Sequence, residues 1–191
     1  MNKEIRNITT NVDVEGRKVS GYAIRFNEQS ADLGFYETIL PEAVDEDLIL
    51  NSDVFALFNH NEDDVLARSH KGKGSLKLEL REDGLYYEFE APNTVKGDEL
   101  IEHIKRGEIL GSSFAFSTPS DYSGESWTKV DDTYYRTIKK ISNLYDVSPV
   151  YTPAYPTTSC NYRDAEKAKE HYNQISEILD ACLDEINELS K

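Results

Sequence analysis

The chain has 191 residues, enough for one domain with a real core, and sets 21 Lys and Arg against 36 Asp and Glu for a net charge of −15. So acidic a chain lacks the basic face that phosphate attraction requires, which argues against a nucleic-acid binder. No stretch approaches the roughly 18 apolar residues of a membrane span, MNKEIRNITT has no apolar signal core, and Cys160 and Cys182 make neither a disulfide framework nor a metal cluster; an intracellular protein is expected.

Residues 18–26 (KVSGYAIRF) alternate well enough for a strand, and Leu40-Pro41-Glu42-Ala43-Val44 opens a short helix with proline in its first turn. Residues 54–58 (VFALF) read as a short buried strand. Lys71-Gly72-Lys73-Gly74 is a turn without the Lys-Ser/Thr and strand–helix setting of a phosphate loop. Residues 75–80 (SLKLEL) and 85–91 (LYYEFEA) alternate on either side of Asp83-Gly84, a strong hairpin signal. Residues 97–106 predict a helix, with Leu100, Ile101 and Ile104 on one face and Gly107 ending it. A strand over 109–116, a polar loop over 121–132, a strand over 133–141 and a short strand over 144–150 follow, closed by Thr152-Pro153-Ala154-Tyr155-Pro156. This pattern predicts a mainly antiparallel β body, a barrel or two packed sheets, with few helices. Beyond it, Ile175, Leu179, Cys182, Ile186 and Leu189 trace a heptad seam. We therefore expect a body over 1–158, then a linker and an amphipathic C-terminal helix over 159–191 that docks on the body or pairs with another helix.

The run LGSSFAF at 110–116 places two serines in an apolar strand. By alternation Ser112 shares a face with Phe114 and Phe116, which belong in a core, and Ser113 points the other way among small neighbours, leaving room for a substrate. Serine is common in strands for no chemical reason; as a nucleophile it needs a base and an orienting group. Of the four histidines, His60 directly follows the buried run VFALF, at the end of a rigid strand where a general base would be both held and accessible. His70 lies in the Lys/Gly turn, His103 on the short helix and His171 on the C-terminal helix. Asp146 sits mid-strand in LYDVSPV, costly for a carboxylate without a partner, and a histidine would be such a partner. A metal reading of His60, Asp63, Asp64 and His70 matches no standard spacing. Between Arg25 and Arg68 there is no Lys or Arg. That acidic stretch reads as solvated surface, or as a rim near His60 whose Glu62, Asp63 and Asp64, if close, would favour a charged imidazole.

Several segments, taken in order, resemble the prohead (procapsid) maturation proteases of tailed bacteriophages: Gly21-Tyr22-Ala23, Ile39-Leu40-Pro41-Glu42-Ala43, Asn59-His60, Leu66-Ala67-Arg68, Asp83-Gly84-Leu85, Gly111-Ser112-Ser113-Phe114-Ala115-Phe116, and Asp146-Val147-Ser148-Pro149-Val150 with the Thr152–Pro156 run. The resemblance implies a catalytic triad of His60, Ser113 and Asp146, with no cofactor and no metal. Ser112 stands where such proteases often have Met, Asp146 where Glu is frequent, and Glu42 where Gly is usual. The family is similar in fold to the herpesvirus assembly proteases, which implies an antiparallel β-barrel surrounded by helices. The implied function is a serine endopeptidase inside the procapsid, in the bacterial host cytoplasm, cleaving scaffold, the N-terminal region of the major capsid protein, and itself; the heptad seam adds a homo-oligomer through the C-terminal helix as an expectation. A rival reading is a catalytically inactive protease-like assembly factor that binds capsid or scaffold. A small esterase is disfavoured, because the chain has no G-x-S-x-G elbow and no α/β pattern.

Overall fold

In the computed structural model, residues 3–9 and 11–151 are described, with Glu170, Tyr172, Asn173, Ser176 and Glu177 beyond them. Thirteen strands dominate: β1 (Glu4–Ile8), β2 (Asp13–Glu15), β3 (Lys18–Arg25), β4 (Tyr36–Ile39), β5 (Asp53–Phe58), β6 (Asn61–His70), β7 (Lys73–Gly74), β8 (Leu76–Arg81), β9 (Gly84–Glu90), β10 (Ile109–Ser117), β11 (Glu125–Val130), β12 (Thr133–Ile138) and β13 (Asn143–Tyr151). A 3-10 turn at Pro41–Ala43 and α1 (Glu46–Asn51) precede β5, and α2 (Val95–Lys105) precedes β10. Asp45 caps α1 by accepting the Leu48 N–H, and Thr94 caps α2 by accepting that of Gly97.

The strands form a six-stranded sheet in the order β1-β10-β13-β5-β6-β7, a four-stranded sheet β2-β3-β9-β8 and a three-stranded sheet β11-β12-β4. The expected closed antiparallel barrel is not found among the described residues. Closure needs the outer strands to share a ladder. Among the described residues β1 pairs only with β10, and β7 is a two-residue stub that pairs only with β6. Two pairings, β13 with β5 and β12 with β4, are parallel rather than antiparallel. Of the expected surrounding helices, the body has α1 and α2.

The core lies between the six- and four-stranded sheets, where β10 packs on β3. Phe114 and Phe116 are buried there with Ile24, Leu85, Tyr87 and Phe89. Ser112 faces the same layer, its Oγ 2.9 Å from Tyr87 Oη. A Cβ at Gly21 would stand 3.2 Å from that Tyr87 oxygen and 3.3 Å from the serine, so glycine leaves the pair its room. A smaller cluster gathers Phe35 and Tyr134 with Trp127, and Tyr172 meets Tyr134 edge-on. The remainder of the expected C-terminal helix, its heptad seam, both cysteines and the division at 158 lie outside the described residues.

Candidate active site

His60 is positioned by a tight turn. β5 and β6 form a hairpin whose ladder closes at Phe58 and Asn61, leaving Asn59 and His60 as the two loop residues. Both have positive φ, 53° and 60°, as a two-residue type I′ loop demands. Asparagine tolerates that region better than most residues; histidine there is uncommon. The Asn59 N–H donates to the Pro149 carbonyl at 3.1 Å and ties the loop to β13. The parallel ladder between β13 and β5 covers only Asp146 and Val147, so Pro149 lies past its end, where a missing N–H costs no ladder bond to β5. Asn59→Gly is expected to keep both fold and site. Asn59→Val should cost about 1–2 kcal/mol, because a β-branched residue resists positive φ. Thermal midpoints of the two variants check this, and a valine variant as stable as wild type would remove the turn argument.

The turn sets His60 over β13 and β10. Its Nδ1 lies 2.7 Å from Asp146 Oδ1 and its Nε2 2.5 Å from Ser113 Oγ. With Nδ1–H donated to the carboxylate, Nε2 is left as the acceptor facing the hydroxyl. Ser113 Oγ also donates to the Arg6 carbonyl on β1 at 2.8 Å. One hydroxyl proton thus has two acceptors, and a turn of the O–H from the carbonyl toward Nε2 aligns it for transfer. Asp146 is almost fully buried. Its Oδ1 accepts from His60 and from Ser148 Oγ, the latter at 2.8 Å, while its Oδ2 has no hydrogen bond and faces Lys3 Nζ at 3.5 Å.

Ser112 and Ser113 point to opposite sides, as the alternation of β10 predicts, but the expected openness around Ser113 is corrected. Its exposure is 0%. β1 pairs along the β10 edge with Asn7 opposite Ser113, and β13 lies along the other edge, so the hydroxyl is enclosed by both neighbours and the His60 turn. The side chain of His60 remains about one-fifth exposed.

The remaining sequence candidates disperse. His70 ends strand β6 rather than lying in a turn, and pairs with Asp53. His103 on α2 bonds to Glu108, and His171 lies outside the described residues. Asp64 accepts from Asn61 and pairs with Lys96, so it does not join His60 and His70 around a metal. Glu62 pairs with Lys3 at 3.7 Å. The acidic stretch near His60 is therefore balanced by cations from distant parts of the chain.

Hydroxyl and carboxylate on neighbouring strands, with the imidazole held between them by the turn in hydrogen-bonded order, make the arrangement a serine hydrolase uses. The model of the caudovirus prohead serine protease family matches residues 4–175, and the chain belongs to that family. No curated protein sequence matches. A solved structure, the capsid assembly protease gp21 of bacteriophage T4, aligns over 79% of this chain and 99% of that one at 11% identity, with a TM-score of 0.47, a likeness too distant to carry an argument.

Proposed function

We propose that this chain is an active endopeptidase of capsid maturation, with Ser113 as nucleophile, His60 as general base and acid, and Asp146 orienting the imidazole. The observation that carries the reading is the hydrogen-bonded order Asp146–His60–Ser113, with 2.7 Å and 2.5 Å separations. Ser113 Oγ attacks the scissile carbonyl carbon as its proton passes to His60 Nε2. The proton then goes to the leaving amine as the C–N bond breaks, giving an acyl-enzyme. Water attacks that ester, His60 again takes the proton and returns it to Ser113, and the acid product leaves. Asp146 orients the imidazole and stabilises the imidazolium in both halves. No metal or cofactor enters this sequence. Substrate reaches Ser113 only when the groups enclosing it part.

The substrates in this reading are the scaffold protein, the N-terminal region of the major capsid protein and the chain itself, inside the procapsid in the bacterial host. A homo-oligomer through the C-terminal seam belongs to the same proposal. The rival, an inactive assembly factor, requires no relay of this kind. Co-expression with the capsid and scaffold proteins separates them. Wild type should shorten the capsid protein and His60→Ala should leave it full length, with sedimentation of the same preparations reporting self-association. Full-length capsid protein in shells that contain wild-type chain would favour the rival.

A further inference from the structure

Besides the proposed nucleophile, Ser112, Ser117 and Ser148 are wholly buried on β10 and β13, and the two nearest Ser113 differ in what they hold. Ser112 bonds to Tyr87 in the core, away from the relay. Ser148 lies on β13 directly opposite Ser113 in the ladder, two residues after Asp146 and therefore on the same face of the strand. Its hydroxyl donates to Asp146 Oδ1 at 2.8 Å. Among the described residues, the Asp146 side chain takes hydrogen bonds from two groups only, His60 and Ser148, both at Oδ1.

We propose that Ser148 is a positioning residue: its hydroxyl fixes the angle of the Asp146 carboxylate so that the oxygen it bonds stays in line with His60 Nδ1. This rests on the triad reading above. A carboxylate turns readily about its terminal bond. In water the carboxylate would be free to take any angle; here the positions of its two oxygens meet different surroundings. Oδ2 is buried with no hydrogen bond and is opposed by Lys3 at 3.5 Å, itself shared with Glu62. With Ser148 silent, the carboxylate gains by turning toward the Lys3 ammonium, and each degree of that turn worsens its line to His60. With Ser148 donating, two hydrogen bonds converge on Oδ1 and hold it against the pull. The imidazole is thereby kept in the orientation that leaves Nε2 aimed at Ser113.

The test compares Ser148→Ala with Ser112→Ala, two deletions of one hydroxyl at equal burial, of which only one touches the relay. With a peptide spanning a mapped capsid cleavage site, Ser148→Ala should lower kcat on the order of 10-fold to 100-fold with KM unchanged. It should also shift or broaden the downfield proton resonance of His60 Nδ1–H. Ser112→Ala should change neither, and Ser148→Thr, which keeps the hydroxyl, should restore the resonance. Unchanged kcat and resonance in Ser148→Ala, or equal effects from both alanine variants, overturns the positioning role while leaving the triad intact. Equal cleavage by wild type and Ser113→Ala would instead overturn the triad reading itself, and this inference with it.

Discussion

Ser113→Ala is expected to lower cleavage by about four orders of magnitude or more, while Ser112→Ala leaves the chemistry near wild type. The two residues are adjacent and alike in burial, so the contrast tests orientation and nothing else. Ser113 Oγ is the atom within 2.5 Å of His60 Nε2; the Ser112 hydroxyl lies on the other face of β10, against Tyr87. Loss of the Ser112 hydroxyl strands the buried Tyr87 phenol without its partner. That should appear as about 1–3 kcal/mol of lost stability, read from urea midpoints, and not as lost kcat. Equal loss of cleavage from both substitutions in folded protein, or a Ser113→Ala variant that still cleaves, would sink the assignment.

What the sequence made legible was the apolar periodicity. The runs VFALF and LYDVSPV, the hairpin at Asp83-Gly84 and the helix ended by Gly107 all appear, within a few residues, as β5, β13, the β8–β9 turn and α2. The three site candidates were legible for the same reason: each is a polar residue in or beside an apolar strand. Some elements stay hidden because polar side chains carry part of their burial. β1 and β4 carry Arg6 and Glu37, both nearly fully buried, and sequence patterning reads such charges as surface. The sequence of β11 patterns as a polar loop because, in Glu125–Val130, no residue is fully buried. The acidic stretch misled through locality. Its partners Lys3, Arg6, Lys96 and Arg136 come from outside the stretch, and only the fold brings them to Glu62, Glu37 and Asp64. Enclosure of Ser113 by β1 was equally invisible, since it depends on which strand borders β10.

The buried charges of β1, β4, β11 and β12 carry the other large expected effect. Arg136 pairs with Glu37 across the parallel β12–β4 ladder, where the two are direct Cα partners, and its guanidinium also reaches Glu4 and Glu125. Arg6 bonds to Glu37 at 2.8 Å and to Glu4 at 2.6 Å. Two guanidinium groups thus serve three carboxylates, and the two kinds of deletion are not equivalent. Glu37→Gln leaves each arginine with another carboxylate. Arg136→Met leaves three carboxylates at the centre of the network with Arg6 alone, and at neutral pH they remain charged or must take up protons. Arg136→Met should therefore cost about 3–5 kcal/mol and Glu37→Gln clearly less, as removal of the shared partner from a buried ionic group predicts. The pH dependence has a definite sign. Burial pushes the Glu4 carboxyl up, but hydrogen bonds and charge from Arg136, then Arg6, outweigh it and hold the group below its ordinary value near 4.5. A lowered carboxylate contributes stability that is present above that value and is lost as pH falls through the lower, folded one. The deficit of Arg136→Met relative to wild type should accordingly be widest near neutrality and narrow on acidification below about pH 4.5. Urea midpoints of the two proteins across that range measure it. A deficit independent of pH, or Glu37→Gln as damaging as Arg136→Met, would mean that packing of the long side chain against Trp127, and not its charge, holds these strands together.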